Sequence, residues 1–137
     1  MTIRQCDLAR HIGLSPMTIS RAVRSLGRDG VELTNHVTTL ILVAGEINRL
    51  GLAWQVALEI VRKFESEIRY LFRDPDHRAW VLFVERADTA FQVSCLSPTH
   101  YDSVSRAHPL SLTLALHEPV ATALEQFDAL KTVKEAA

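Results

Sequence analysis

Residues 6–27 read CDLARHIGLSPMTISRAVRSLG, in which two short helical patterns flank a tight turn. Gly13 stands at the turn, where a residue without a Cβ can adopt a positive φ and redirect the chain sharply. Ser15 follows as an N-cap and Pro16 takes the first helical position, which together strongly indicate a helix start. The sequence therefore predicts a helix-turn-helix at this end of the chain.

Both helices of this motif carry one apolar face at helical spacing. We expect the first helix to start at Thr2, whose hydroxyl can accept the Gln5 amide while the Gln5 side chain reaches back, as in a capping box. The predicted inner faces consist of Cys6, Leu8, Ala9 and Ile12 in the first helix and of Ile19, Ala22, Val23 and Leu26 in the second. A second helix held in this way can lie in the major groove of DNA. The alternative is a helical hairpin inside a core, which does not require this combination of cap, turn and small residues.

The segment LSPMTISRAV, residues 14–23, resembles the recognition helix of the Lac-repressor family and of related bacterial regulators. In those helices a Ser, a Thr-Val/Ile-Ser-Arg core and small apolar residues recur. The resemblance implies DNA contacts by Pro16, Met17 and Arg21, and phosphate contacts by the hydroxyl residues of the same segment. With the arginines that follow, the predicted DNA-binding residues are Ser15, Pro16, Met17, Thr18, Ser20, Arg21, Arg24 and Arg28.

The next stretch, HVTTLILVAGEINRLGLAWQVALEIV, residues 36–61, predicts two apolar helices. The first is apolar nearly all round, so it has to be covered on more than one side. This pair resembles the two-helix segment that follows the DNA-reading hairpin in MerR-like regulators, where a Leu-Gly turn joins the helices, here Leu50 and Gly51. We therefore expect residues 1–66 to form a helix-turn-helix DNA-binding domain of about four helices, two of them supporting.

The composition shifts toward β-forming residues after residue 77. The pattern predicts a β-hairpin from about Arg78 to Ser97, a long loop over residues 98–109, a third strand over residues 110–117, and a final helix opened by Pro119. Residues 78–137 would thus form a small β-β-β-α module, and the whole chain would be α+β. Such a module cannot bury all of its apolar surface alone, which predicts self-association, or a protein or effector partner that this module binds.

Length, composition and charge restrict the classes of protein to which this chain can belong. With 137 residues and 47% hydrophobic content, the chain is too apolar to be disordered and can build one core or two small ones. The net charge of −1 argues against a strongly electrostatic nucleic-acid binder. However, residues 1–63 carry eight basic and five acidic side chains, whereas the remainder carries seven and eleven. This asymmetry fits a DNA-binding part joined to a part that avoids DNA, or chance variation on solvated faces.

Cys6 and Cys95 each lie in an apolar pattern, so we expect both to be small buried hydrophobes rather than a disulfide or metal pair. The six histidines show no metal-site spacing, namely His11, His36, His77, His100, His108 and His117. His100 and His108, with Tyr101 and Asp102, form a local cluster in the predicted loop, as surface residues or as a ligand-sensing loop.

No phosphate-binding loop and no constellation of catalytic groups stands out in the sequence. We therefore expect no enzymatic activity, no cofactor and no metal. The amino end has no apolar signal core and no apolar run approaches a membrane span, which predicts a cytoplasmic protein.

Two functions from different classes fit these observations. The leading hypothesis is a sequence-specific DNA-binding transcriptional regulator, such as a repressor, that acts on double-stranded DNA as a homodimer. The alternative is a protein-binding adaptor, such as an antitoxin or a phage assembly factor, whose contact with DNA is secondary.

Overall fold

The structure, a computed structural model, describes residues 3–27 and 33–136 of the chain. Within these residues it contains seven helices and one three-stranded antiparallel sheet, so the predicted α+β class is confirmed. In chain order the elements are α1 (Gln5–Ile12), α2 (Pro16–Leu26), α3 (Asn35–Arg49), α4 (Trp54–Lys63), α5 (Glu65–Arg73), β1 (Trp80–Glu85), β2 (Ala90–Cys95), α6 (Pro98–Ala107), β3 (Ser111–Ala115) and α7 (His117–Ala136). None of the described helices combines the length and the apolarity that crossing a bilayer requires.

The chain divides into two compact units. One comprises residues 1–63 together with 121–137, and the other comprises residues 64–120. The helix α7 starts in the second unit and continues in the first. This division differs from the sequence-based one of 1–66 and 78–137, because most of α7 belongs to the amino-terminal unit and α5 belongs to the unit that contains the sheet.

The helix α3 is the central element of the first unit, and it packs against α1, α2 and α4. Every residue from Val37 to Ile47 is buried, as the all-round apolar pattern predicts. The Thr34 hydroxyl caps the helix by accepting the Val37 amide at 3.2 Å. The Thr38 hydroxyl, also buried, donates to the Thr34 carbonyl at 2.8 Å, so a polar side chain inside this core is satisfied by the helix itself.

In the second unit the strands lie in the order β2-β1-β3, and β1 is antiparallel to both neighbours. The predicted hairpin and third strand are therefore confirmed. Trp80 stands opposite Cys95 of β2 and Ala115 of β3. Burial raises the pKa of the Cys95 thiol, as expected for a thiol that behaves as a small hydrophobe. Tyr101 stacks on Trp80 with ring centroids 5.1 Å apart.

The prediction of a loop over residues 98–109 is wrong, because residues 98–107 form the helix α6. Ser97 caps this helix by accepting the His100 amide at 3.1 Å, and Pro98 occupies its first turn. No residue of α6 is fully buried. The apolar periodicity that indicates most helices is consequently absent from this segment.

Candidate nucleic-acid interface

The turn between α1 and α2 has the geometry that the sequence predicts. Gly13 adopts φ 84° and ψ 30°, in the left-handed region that glycine reaches without steric cost. Its amide donates to the Ala9 carbonyl at 2.9 Å, and the Leu14 amide donates to the same oxygen at 3.0 Å. One carbonyl therefore satisfies the first two amides beyond α1, and the chain is redirected within a few residues.

The start of α1 differs from the prediction, and Thr2 itself lies outside the described residues. The helix begins at Gln5 with Arg4 as its N-cap, so a start at Thr2 is wrong. At this helix start the Asp7 carboxylate accepts the Arg4 amide at 2.9 Å. An acidic side chain in the first turn satisfies an otherwise unpaired amide and interacts favourably with the positive end of the helix.

Asp7 also connects α1 to the last turns of α7, where the Lys134 ammonium lies 3.0 Å from its carboxylate. Burial of Asp7 alone would raise the pKa of its carboxyl. The hydrogen bond from the Arg4 amide and the charge of Lys134 outweigh this effect, and they hold the pKa below its ordinary value. The carboxylate is therefore ionised while it anchors α1.

The helix α2 begins as the Ser-Pro dipeptide predicts. The Ser15 hydroxyl accepts the Thr18 amide at 3.1 Å, and Pro16 occupies the first helical position, where a missing amide proton costs nothing. The hydroxyl oxygens of Ser15 and Thr18 also lie 2.8 Å apart, within hydrogen-bond distance. Both hydroxyls are therefore held at the amino end of α2.

The inner faces of the motif form part of the first unit's core. Leu8 and Ala9 of α1 and Ile19, Ala22 and Val23 of α2 are all buried. The two helices pack against each other and both pack against α3. Cys6 is an exception, because this predicted core residue is exposed. Leu8 and Ala9, which are buried, and Ile12, which is half-buried, share a face of this eight-residue helix that position 6 does not share.

The exposed side of α2 carries most of the residues predicted to contact DNA. We define the outer face of α2 as Ser15, Pro16, Met17, Arg21 and Arg24, which are all exposed. Thr18 and Ser20 are half-buried beside it. Arg28 lies outside the described residues. The structure thus brings five of the eight predicted residues together on one surface and places two more at its margin.

The arginines of this surface form no ion pair with an acidic side chain in the described part of the chain. Arg21 donates to the thioether of Met17, with 3.4 Å between Nη2 and Sδ. Neither Arg21 nor Arg24 forms an ion pair with any residue that the structure describes. Their guanidinium groups can therefore meet an anion without first breaking any ion pair among these residues.

A further arginine of the motif, Arg10, is exposed near the end of α1 and likewise has no acidic partner among residues 3–27 and 33–136. It is not one of the residues predicted from the sequence to contact DNA. The only signal for it is that position 10 falls outside the apolar face of α1. Together, α1 and α2 carry three arginines against one aspartate, Asp7.

The histidine cluster predicted for residues 100–108 is not assembled. His100 lies in the first turn of α6 and His108 follows its last turn, so about eight residues of helix, roughly 12 Å, separate them. His108 Nδ1 lies 3.0 Å from Arg86 Nη2, and Asp102 pairs with Arg106. No cluster of three or more His, Cys, Asp or Glu side chains suited to a metal occurs among the residues described.

Within the residues that the structure describes, the geometry of α1 and α2 is thus the main indication of function. Comparison of the chain with protein-family models, with curated proteins and with solved structures found no match.

Proposed function

We propose that this protein is a sequence-specific DNA-binding transcriptional regulator that inserts α2 into the major groove. The observation that carries the proposal is the outer face of α2. It presents two exposed arginines on a capped helix whose opposite side, at Ile19, Ala22 and Val23, is buried. A helix in which one side is fixed by packing and the other is exposed and basic is suited to dock as a rigid body.

Each residue of the outer face has a contact suited to its chemistry. The Arg21 guanidinium can bind the two acceptors of a guanine edge, and Arg24 can bind a phosphate or a second guanine. The Ser15 hydroxyl lies at the amino end of α2, where free amides and the helix dipole favour a phosphate. Met17 is exposed over 64% of its surface and can pack against a thymine methyl group, a contact that needs no hydrogen bond.

Two copies would be needed for specificity, because one such helix contacts only a few base pairs. Dimers with this motif bind half-sites about 34–36 Å apart on one side of the duplex. We therefore propose a homodimer on a palindromic site. Such a regulator acts in the cytoplasm, where bacterial or phage DNA is transcribed.

The first experiment is to select bound fragments from a random pool of duplex DNA and to measure their affinity by fluorescence anisotropy. We expect a palindromic consensus. Arg21→Ala should weaken binding to that consensus by roughly 5- to 150-fold, the effect of about 1–3 kcal/mol for one base contact.

Arg62→Ala is the matched control. Arg62 is an exposed helical arginine of the same unit that lies on α4, so its removal changes the net charge equally. Its effect on affinity should be much smaller than that of Arg21→Ala. If all duplexes are bound equally and the two variants are affected alike, the proposal is wrong. A protein that selects no DNA but purifies with a second polypeptide would favour the adaptor instead.

A further inference from the structure

The strand β3 lies at one edge of the sheet, with β1 as its only neighbour among the described strands. An edge strand presents unpaired amides and carbonyls on its outer side and can template pairing with another strand. Sheets usually protect such edges with charged side chains, proline, bulges or a covering helix. β3 has the uncharged sequence SLTLA, whereas β2, at the other edge, is packed by α6.

The alternation of the ladder identifies which backbone groups of β3 face outward. The Leu116 amide donates to the Ala79 carbonyl at 2.9 Å, in the same register that pairs Trp80 with Ala115. In an antiparallel pair, hydrogen-bonded and non-bonded positions alternate. Leu114 and Leu112 therefore direct their amides and carbonyls toward β1. Those of Ser111, Thr113 and Ala115 point to the open edge.

The side chains of β3 make this edge apolar on one side of the sheet. Leu112 is exposed over 76% of its surface, and Leu110, just before the strand, over 86%. Both line a groove of about 540 Å³ that also includes Phe83 and Gln92. On the opposite side, Ser111, Thr113 and Ala115 are small, so a second strand could approach without steric conflict.

We propose that β3 pairs antiparallel with β3 of a second copy of this chain, about a two-fold axis at Thr113, to form a continuous six-stranded sheet. In this register Thr113 and Thr113 of the partner subunit exchange both hydrogen bonds. Ser111 does the same with Ala115 of the partner subunit. Only residues whose backbone groups point outward are required to bond.

The same register explains the pattern of side chains. Leu112 stands opposite Leu114 of the partner subunit in a non-bonded pair, where side chains come closest, and the two-fold axis repeats this contact. Four leucines, two from each subunit, therefore form one apolar cluster across the interface between the two β3 strands. A two-fold axis also brings like charges together, which would oppose pairing. The stretch from Leu110 to Leu116 contains no charge, so the edge is electrostatically compatible with its own copy.

The inference takes from the proposed function only the expectation of two copies, and it can be tested without DNA. Thr113→Lys and Thr113→Glu each place like charges opposite one another at the proposed axis. Sedimentation velocity should show a dimer for the unaltered protein and a dissociation constant raised by about tenfold or more for each variant alone. An equimolar mixture of the two variants should recover the dimer, because Lys then faces Glu.

Thr99→Lys is the control, since it adds the same charge at an exposed position on α6. It should leave the dimer intact. Thr113→Pro provides a second test: it removes only an outward-facing amide, and circular dichroism should verify that the variant is folded. A monomeric unaltered protein, or Thr113 variants that remain dimeric while folded, would overturn the inference. Folded Thr113 variants that remain dimeric would leave the proposed homodimer on DNA intact through another surface, and DNA selection by α2 is measured independently, so the two proposals can fail separately.

Discussion

The helices α2 and α3 belong to the same unit and touch each other, yet they differ in how much of their surface is buried. The helix α3 is buried all the way from Val37 to Ile47. By contrast, α2 buries Ile19, Ala22 and Val23 and leaves its outer face exposed. Burial constrains nearly every side chain of α3 through packing, whereas the outer face of α2 is not constrained in this way. The amino acids at the exposed positions of α2 can therefore be set by a binding function rather than by packing.

The sharpest contrast between the two helices should appear when a large side chain is truncated. Leu42 in α3 is completely buried, so Leu42→Ala should lower the free energy of unfolding by about 2–5 kcal/mol. Met17→Ala on α2 removes a side chain that is mostly exposed, and it should change this free energy by about 0.5 kcal/mol or less. Urea denaturation measures both. Similar decreases for the two variants would contradict the comparison.

A second pair of variants compares the turn before α2 with the interior of α3. Gly13→Ala forces a Cβ into the left-handed region and should cost about 1–2 kcal/mol of unfolding free energy. At Gly45 in α3, an added Cβ would lie 3.5 Å from Ile12, an ordinary contact. Gly45→Ala should therefore stabilise the protein, by up to about 1 kcal/mol. An equally harmless Gly13→Ala would show that the turn does not require glycine.

The cap of α2 should contribute less to the free energy of unfolding than the glycine turn before it. Ser15→Ala removes the hydroxyl that accepts the Thr18 amide and should cost about 1 kcal/mol in chemical denaturation. Ser25→Ala, at an exposed position near the other end of α2, is the control and should be close to neutral. Equal effects at both positions would show that the Ser15 hydroxyl does not stabilise the helix start.

The smallest expected change in unfolding free energy concerns Asp7 of α1, and it depends on pH. The pKa of Asp7 is lower in the folded than in the unfolded protein, where it lies at about 3.9. Its stabilising contribution is therefore fully present above that value and is lost as the pH falls through the folded pKa. The difference in unfolding free energy between the unaltered protein and Asp7→Asn should shrink as the pH is lowered from neutrality through the unfolded and then the folded pKa of Asp7.

Lys134→Gln provides the corresponding control, because it removes one of the groups that lower the pKa of Asp7. This variant should show a weaker pH dependence than the unaltered protein. A difference between the unaltered protein and Asp7→Asn that stays constant with pH would show that ionised Asp7 does not anchor α1.

Two Ser-Pro dipeptides show how much of the fold can be predicted from the sequence. Ser15–Pro16 and Ser97–Pro98 both cap helices in the same way. The first is recognisable because apolar residues follow at helical spacing. The second resembles a loop, because α6 has no fully buried residue and hence no such spacing. Local signals suffice to predict a helix where a cap and an apolar face occur together. They also suffice for the strands, in which apolar and polar residues alternate.

Features that depend on distant contacts are not predictable in the same way. The last part of α7 belongs with the amino-terminal helices, which no local pattern indicates. The role of Asp7 depends partly on Lys134, 127 positions away along the chain. The outer face of α2 is predictable, because cap, turn and periodicity together fix which side of a short helix is exposed. Arg10 is not, since its only local signal, a position outside the apolar face of α1, does not distinguish a binding residue from any other exposed arginine.

The most direct test of the central claim is the salt dependence of DNA affinity for the double variant Arg21→Ala/Arg24→Ala, measured beside its free energy of unfolding. The two side chains are exposed, so stability should stay within about 0.5 kcal/mol of the unaltered protein. The slope of the logarithm of affinity against the logarithm of salt concentration should become shallower by about 0.9 for each phosphate that the variant no longer neutralises. An unchanged slope and affinity, with the protein folded, would contradict the proposal that α2 reads DNA.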